Sequence, residues 1–385
     1  MTYRYLLSSF SAIACAFLSL LSSCQIQPPA LDPINDLIEE GRRQFAPDAR
    51  TAVFDVEVVP EGNVYGLRGE CDAYEAKKWL LARLDEAGIE YTDSLIVLPD
   101  PALGMRHQGL VRISVANLRA RPSHAAEMVT QTLLGAPVTV LKQQRGWSYV
   151  QLPDRYIGWV ETESLRLFTP SEMDSLERLE KIVFRETHGY AVDDHGNPVS
   201  DLVAGNELVY LGEQEGRCRI AYPDGRLGWI ASDAAVRPDS LRGDPVLFPE
   251  RLVQTARGFM GIPYLWGGTS TKGMDCSGFT KTVYALNGVM LPRDADQQSR
   301  AGAVVDSTGQ FDRLIPGDLL FFGTPASDSL PERIVHVALW LGKDEYIHAS
   351  GDVHVSSVSL NSSLFDAYNR NRYIRSVRIR PHGNN

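Results

Sequence analysis

The apolar and polar positions divide the chain into stretches of different period. Leu6 to Leu21 is apolar or small and carries no charge. Against the roughly 20 apolar residues that a membrane span needs it is somewhat short, and four serines dilute it further. It reads as a secretion signal over 1–23, ending at Leu21-Ser22-Ser23-Cys24. Residues 24–33 hold three prolines and no long apolar run, the composition of a tether. Ile34 to Phe45 then has helical spacing, Thr51 to Val59 alternates, and Val64 to Leu67 can return as a second strand across Pro60-Glu61-Gly62-Asn63. Ala73 to Ala87 is amphipathic with Trp79, Leu80 and Leu84 on its buried side, and Ser94 to Leu98 is a further strand. The expectation is a small α+β domain over 34–103, with Cys71 at a strand-to-helix junction as a small buried side chain.

The following stretch contains an internal repeat. Gly146 to Val160 aligns without gaps on Gly216 to Ile230, and Gly216, Pro223, Asp224, Gly228 and Trp229 recur at an offset of 70. The same offset lays Gly135 on Gly205, Val138 on Leu208 and Val140 on Tyr210. Short alternating strands broken by Gly and Pro-Asp turns predict two small β-barrels, over 109–168 and 172–238. With Ser114 to Pro122 opening the first copy, the pair resembles bacterial SH3-like domains, which often accompany cell-wall enzymes. The register also shows where the copies differ: Glu127 faces Asn197 and Tyr156 faces Arg226. Taken singly, each is an ordinary solvated surface residue, yet the shared fold does not require them. Cys218 aligns with Ser148, and a Cys71–Cys218 disulfide needs two segments that nothing in the sequence brings together.

Composition narrows the class. The 385 residues carry 38 basic and 48 acidic side chains, a net charge of −10, 44% hydrophobic and 9% aromatic residues. That excludes a disordered or collagen-like chain and argues against nucleic acid as a partner, which rewards clustered Lys and Arg. Five cysteines without a C-x-x-C pair are no disulfide scaffold or zinc module, so each has to be explained singly.

The candidate chemistry lies in the last third. Gly261-Ile262-Pro263-Tyr264-Leu265-Trp266-Gly267-Gly268 is too rich in Gly and Pro to be regular, and it leads to Asp275-Cys276-Ser277-Gly278-Phe279. Phe279, Val283 and Leu286 continue with helical period to an Asn287-Gly288 stop, which places Cys276 at a helix N-terminus. Free backbone N–H groups and the helix dipole there favour thiolate over thiol. Ile334 to Leu341 and Glu345 to Ala349 read as strands joined by Gly342-Lys343-Asp344. A three-residue hairpin loop sets Ala338 opposite His348 and His336 one diagonal step away, about 7–8 Å at the backbone, so the two imidazoles can touch. A lone His on a strand is more often structural and a lone buried Cys is usually inert. Together they suit catalysis, with Cys276 as nucleophile, His336 as base and His348 as its orienting partner. A metal site is the lesser reading, since catalytic zinc takes three protein ligands and no carboxylate stands at short spacing here.

Several of these segments carry a resemblance. Leu21-Ser22-Ser23-Cys24 resembles the lipobox of bacterial lipoproteins, which implies cleavage before Cys24, its lipidation, and an exported, membrane-anchored, periplasmic protein. Pro263-Tyr264-Leu265-Trp266-Gly267-Gly268, Asp275 to Phe279, Leu291-Pro292-Arg293-Asp294, Pro316 to Phe322, His336-Val337-Ala338 and Tyr346-Ile347-His348-Ala349 resemble, in order, the motifs of the NlpC family of papain-like cell-wall peptidases. The resemblance spans 247–380 and implies an α+β papain-like catalytic domain. It also implies Cys276, His336 and His348 as the catalytic set, Tyr264 over the site, and Asp275 and Ser277 on the substrate side. Paired SH3-like modules ahead of such a domain resemble the dipeptidyl-peptidase VI group, which hydrolyses the bond between γ-D-glutamate and the diamino acid of murein stem peptides after a free N-terminal L-alanine. In that group an acidic residue and a tyrosine of the first SH3-like module hold the terminal amine, which points to Glu127 and Tyr156, with Asp275 as a second carboxylate nearby. Where some relatives carry a serine this chain has Ala295, so that Asp294 or Asp296 is expected to serve instead. No cofactor is implied, and a monomer is expected. Three alternatives stay open: an endopeptidase on intact cross-linked wall, an acyltransferase, or a non-catalytic murein-binding lipoprotein.

Overall fold

The structure, a computed structural model, describes residues 31–62 and 64–380. The expected signal segment 1–23, the expected lipidation site Cys24, and all but the last residues of the expected tether lie outside the described residues. The first helix, Asp32–Phe45, begins earlier than the predicted Ile34, because Pro33 sits in its first turn, where the missing N–H costs nothing. It packs with the helix Tyr74–Glu86 against a three-stranded sheet. Phe54–Glu61 and Val64–Cys71 form an antiparallel hairpin, and Tyr91–Val97 returns parallel to the second of them through the helix. Ile34, Ile38, Phe54, Leu67, Leu80 and Leu84 fill the core. Trp79, predicted buried, is half-buried, with its ring edge-on to Phe45 at 5.7 Å.

The repeat is a repeat of topology. Each copy contributes a seven-stranded sheet, and with the strands counted within each copy the spatial order is 7-1-4-5-6-2-3 in both. The 70-residue offset holds strand by strand from Pro137 and Glu207 to Leu165 and Ala235. In the first copy Leu165 from one edge strand and Val129 from the other meet in a single core with Leu118, Val140, Val150 and Val160, so the sheet closes over on itself. Ser148 bonds Thr162 at 2.9 Å, and Cys218 stands in the equivalent place 3.6 Å from Ser232. Cys71 and Cys218 are free thiols in separate cores, so no disulfide joins them.

The C-terminal domain sets the helix Cys276–Ala285 against a six-stranded antiparallel sheet. Phe279 and Val283 of the helix pack on Leu319, Phe321, Val337, Leu339 and Ile347, the alternate residues of three adjacent strands. Leu320, Phe322, Ala338, Trp340 and Tyr346 fill a second core with Phe311.

The units dock on one another. Gln131 of the first barrel accepts from Thr269 N–H at 3.0 Å and Ser270 Oγ at 2.9 Å, and Lys281 pairs with Asp154 at 2.6 Å. The equivalent turn of the second barrel meets the first barrel instead, Asp224 holding Arg226 of its own turn and Arg112 of the first barrel. The N-terminal unit closes the third side: Val53 and Leu98 pack on Leu141 and Ile157, and Arg50 C=O accepts from Ile157 N–H at 2.8 Å.

Candidate active site

The side chain of Asp275 caps the Cys276 helix, accepting from Gly278 N–H at 2.7 Å. Gly278 lets the helix start press against the preceding loop, since a Cβ there would lie 2.0 Å from Gly268 O. Cys276 is thereby held at the first helical position, and its own N–H meets no acceptor among the described residues. Burial pushes its thiol up to about 12, with the neighbouring Asp275 carboxylate adding to the rise and backbone N–H groups of Val337 and Ser277 opposing it. The expected bias of the helix terminus toward thiolate is thus outweighed by desolvation.

The hairpin that carries the histidines turns on two residues, Lys343 and Asp344, with φ of 53° and 64°, rather than the three predicted. A bulge between Trp340 and Gly342 restores the register: Leu339 pairs with Ile347, which continues to Ala338 opposite His348. His336 Nε2 and His348 Nδ1 lie 2.8 Å apart. Beyond them, His348 Nε2 is 3.2 Å from both His354 Nε2 and Ser356 Oγ, and His354 Nδ1 is 2.9 Å from Asp352 Oδ1. A carboxylate can only accept, so for neutral rings His354 carries its proton on Nδ1 and accepts on Nε2. His348 then donates from Nε2 and accepts on Nδ1, and His336 donates from Nε2. The remaining lone pair of the chain is on His336 Nδ1. Burial, followed by the neighbouring imidazole, holds His336 down to about 3 and His348 to about 4, so both are neutral near pH 7.

A cavity of about 640 Å³ joins Cys276 and His336 to Glu127 and Tyr156 of the first barrel, Tyr264, and Arg50 of the N-terminal unit. Glu127 Oε1 accepts from Trp266 Nε1 at 2.8 Å, and no described residue takes its other oxygen. Tyr156 is buried, and its hydroxyl donates to Asp294 Oδ2 at 3.2 Å. Burial pushes the Tyr264 phenol up to about 12, with Cys276 and Asp275 contributing.

Asp275 and Ser277 line the cavity, and the Asp275 carboxylate, expected as a second carboxylate near the amine, is already paired within the protein. Its oxygens accept from Gly267 N–H, Gly278 N–H and the buried guanidinium of Arg293, at 2.5 and 3.1 Å for the last. Ser277 Oγ is bonded to the same pair. Of the residues that sequence reasoning passed over, Arg293 lay inside a quoted motif. His354 follows His348 at a spacing that one tight turn between adjacent strands folds back across the pair. Arg50 had no signal in the sequence.

Residues 261–378 match the NlpC/P60 family, and residues 118–165 match the bacterial dipeptidyl-peptidase Sh3 domain. A gamma-D-glutamyl-L-lysine dipeptidyl-peptidase of Bacillus cereus is 31% identical over 236 residues, which make up 59% of this chain and 68% of that relative. The chain belongs to the NlpC/P60 family of peptidases. Dipeptidyl-peptidase 6 of Lysinibacillus sphaericus is 29% identical over 269 residues, 66% of this chain and 93% of that relative. A solved NlpC/P60 family protein from Bacillus cereus shares the fold, with a TM-score of 0.60 at 24% identity over 71% of this chain and 100% of its own. Cys276, His336 and His348 fall inside the NlpC/P60 match and Glu127 and Tyr156 inside the Sh3 match, whereas Arg50 lies outside both.

Proposed function

We propose that this NlpC/P60 protein is a cysteine peptidase that cuts the bond between γ-D-glutamate and the diamino acid of murein stem peptides bearing a free N-terminal L-alanine. The observation that carries the reading is the wall of the cavity: Glu127 and Tyr156, which the second barrel lacks, face the same space as Cys276 and His336. Tyr156 gives its hydrogen to Asp294, which leaves the lone pairs of its oxygen to accept. Beside a carboxylate oriented by Trp266, that oxygen suits an ammonium group. The names of two relatives, both dipeptidyl-peptidases, support the same class of substrate.

In the reaction, Cys276 Sγ attacks the γ-carbonyl carbon while its proton passes to His336 Nδ1. The N–H of Cys276 at the helix start stabilises the oxyanion. As the C–N bond breaks, His336 returns the proton to the leaving amine and a thioester remains. Water, deprotonated by His336, adds to the thioester and releases L-Ala-γ-D-Glu and the thiol. In the same reading Cys24 carries the lipid that holds the enzyme at a membrane, which labelling with a radioactive fatty acid, lost in Cys24→Ala, would detect.

The test compares L-Ala-γ-D-Glu-L-Lys with its N-acetylated form. The free peptide is expected to be cleaved at least about tenfold faster, the worth of one hydrogen bond to a charged group, and Glu127→Gln to remove most of that preference. Equal cleavage of both forms by the wild type would overturn the reading.

A further inference from the structure

Arg50 belongs to the N-terminal unit, outside both matched families, yet it lines the catalytic cavity. Its five N–H groups are all taken by three carboxylates. Nε and Nη2 donate to Asp48 at 2.8 Å each, Nη1 to Asp294 Oδ2 at 2.7 Å and Asp296 Oδ1 at 2.8 Å, and Nη2 also to Asp296 Oδ2 at 2.9 Å. No donor is left for a substrate carboxylate, so Arg50 is not a ligand of the substrate. It brackets Tyr156 instead. Its carbonyl oxygen accepts from the N–H of Ile157, the next residue, and its guanidinium fixes Asp294, the acceptor of the Tyr156 hydroxyl. Asp48 extends the brace by accepting from Gln297 Nε2 at 2.8 Å, while Gln297 Oε1 accepts from Asp294 N–H at 3.2 Å.

We propose that Arg50 is a positioning residue for the amine seat, through which the N-terminal unit sets the preference for a free N-terminus. The inference rests on the proposed function. Without Arg50, Asp294 loses a cation that offsets its burial, since burial raises its pKa while Arg293 and Arg50 lower it. A protonated Asp294 has a hydrogen of its own to give, and the Tyr156 hydroxyl is then free to turn its hydrogen into the cavity, where it opposes an ammonium.

The experiment measures kcat and KM for L-Ala-γ-D-Glu-L-Lys and its N-acetylated form in the full chain, with Arg50→Ala, Arg50→Lys and Glu127→Gln. Arg50→Ala should raise KM for the free peptide about tenfold with a smaller change in kcat, and leave kcat/KM for the acetylated peptide within about twofold. Arg50→Lys should recover part of the loss, because an ammonium keeps the charge and lacks the planar fork. If Arg50→Ala does not fold, Arg50→Lys and Asp48→Asn carry the same measurement, and a lowered ratio of free to acetylated cleavage is expected in each. Equal losses on both peptides, or an unchanged ratio, would overturn the role of Arg50. The two failures are distinguishable: a ratio lost in Glu127→Gln and kept in the Arg50 variants sinks the positioning role alone, whereas no preference in the wild type sinks the amine seat itself.

Discussion

His336 Nε2 and His348 Nδ1 stand 2.8 Å apart, and the direction of the proton between them is set two residues further along, at Asp352. Each ring passes its donor toward the carboxylate, which leaves the acceptor lone pair of His336 Nδ1 at the cavity end. Asp352 therefore selects the tautomer of a histidine that it does not touch.

Asp352→Asn weakens that selection without emptying space, leaving the Asp352 carbonyl oxygen, 3.2 Å from His354 Nδ1, as the one obligate acceptor at that end. An amide can turn its NH₂ toward His354, after which the chain is free to run backwards and protonate His336 Nδ1. The expected result is a fall in kcat of about tenfold, the worth of one hydrogen bond to a charged group, with KM little changed. His348→Ala, which removes the direct partner, should cost on the order of 10²–10⁴ in kcat. Nitrogen NMR of His336 should show an unprotonated Nδ1 in the wild type and a mixture of tautomers in Asp352→Asn. A protonated Nδ1 in the wild type at pH 7 would contradict the chain of donors.

The thiol of Cys276, pushed up to about 12, and His336, held down to about 3, are both neutral at rest. In the proposed reaction the nucleophile is then formed by proton transfer as substrate is attacked, not held beforehand as an ion pair. Alkylation of Cys276 by iodoacetamide should be slow at pH 7 and should climb continuously to pH 9, roughly tenfold per pH unit while thiolate is the minor form. A rate that is already level between pH 6 and 8 would show a preformed thiolate and refute the neutral pair.

How much of this the sequence disclosed follows from the range over which each interaction acts. Cys276 at a helix start and the pairing of Ala338 with His348 are set by local period and turn chemistry, so both were legible, although the loop is one residue shorter and a bulge makes up the difference. Offset arithmetic exposed Glu127 and Tyr156, since a repeat supplies its own control copy. The fate of Asp275 was hidden, because its guanidinium partner lies 18 residues on and nothing local reports that the two are buried together. Arg50 is further still, 244 residues from Asp294. Contacts between separate units of the fold leave no period in either.

The Arg293–Asp275 pair has side chains 1% and 9% exposed and is shared with Thr130 of the first barrel, whose hydroxyl accepts from Arg293 Nε at 2.9 Å. Removing one partner leaves the other charge buried and alone. Arg293→Met should destabilise the protein by roughly 3–5 kcal/mol in urea unfolding. The Cys276 helix loses an anchor of its cap at the same time, so activity should fall even in the folded fraction. A loss below about 1 kcal/mol would mean that water reaches Asp275 and that the pair is not sealed by the barrel.

The two histidines also make stability depend on pH, with a definite sign. Their folded pKa values, about 3 and about 4, lie below the ordinary histidine value of 6.5. The unfolded chain thus binds protons more readily than the folded one across the interval between. Stability is fully present above about pH 6.5 and is lost as pH falls toward 3 to 4, where the folded rings finally protonate. The melting temperature should drop steadily from pH 7 to 4, and Cys276→Ala, which leaves both rings in place, should follow the same slope. His348→Gln removes one of the two depressed groups and should flatten that slope by about half. An unaltered slope in His348→Gln would refute the assignment to the histidines, because carboxylates such as Asp48, whose pKa the Arg50 fork holds well below the usual range, lose their contribution only at lower pH.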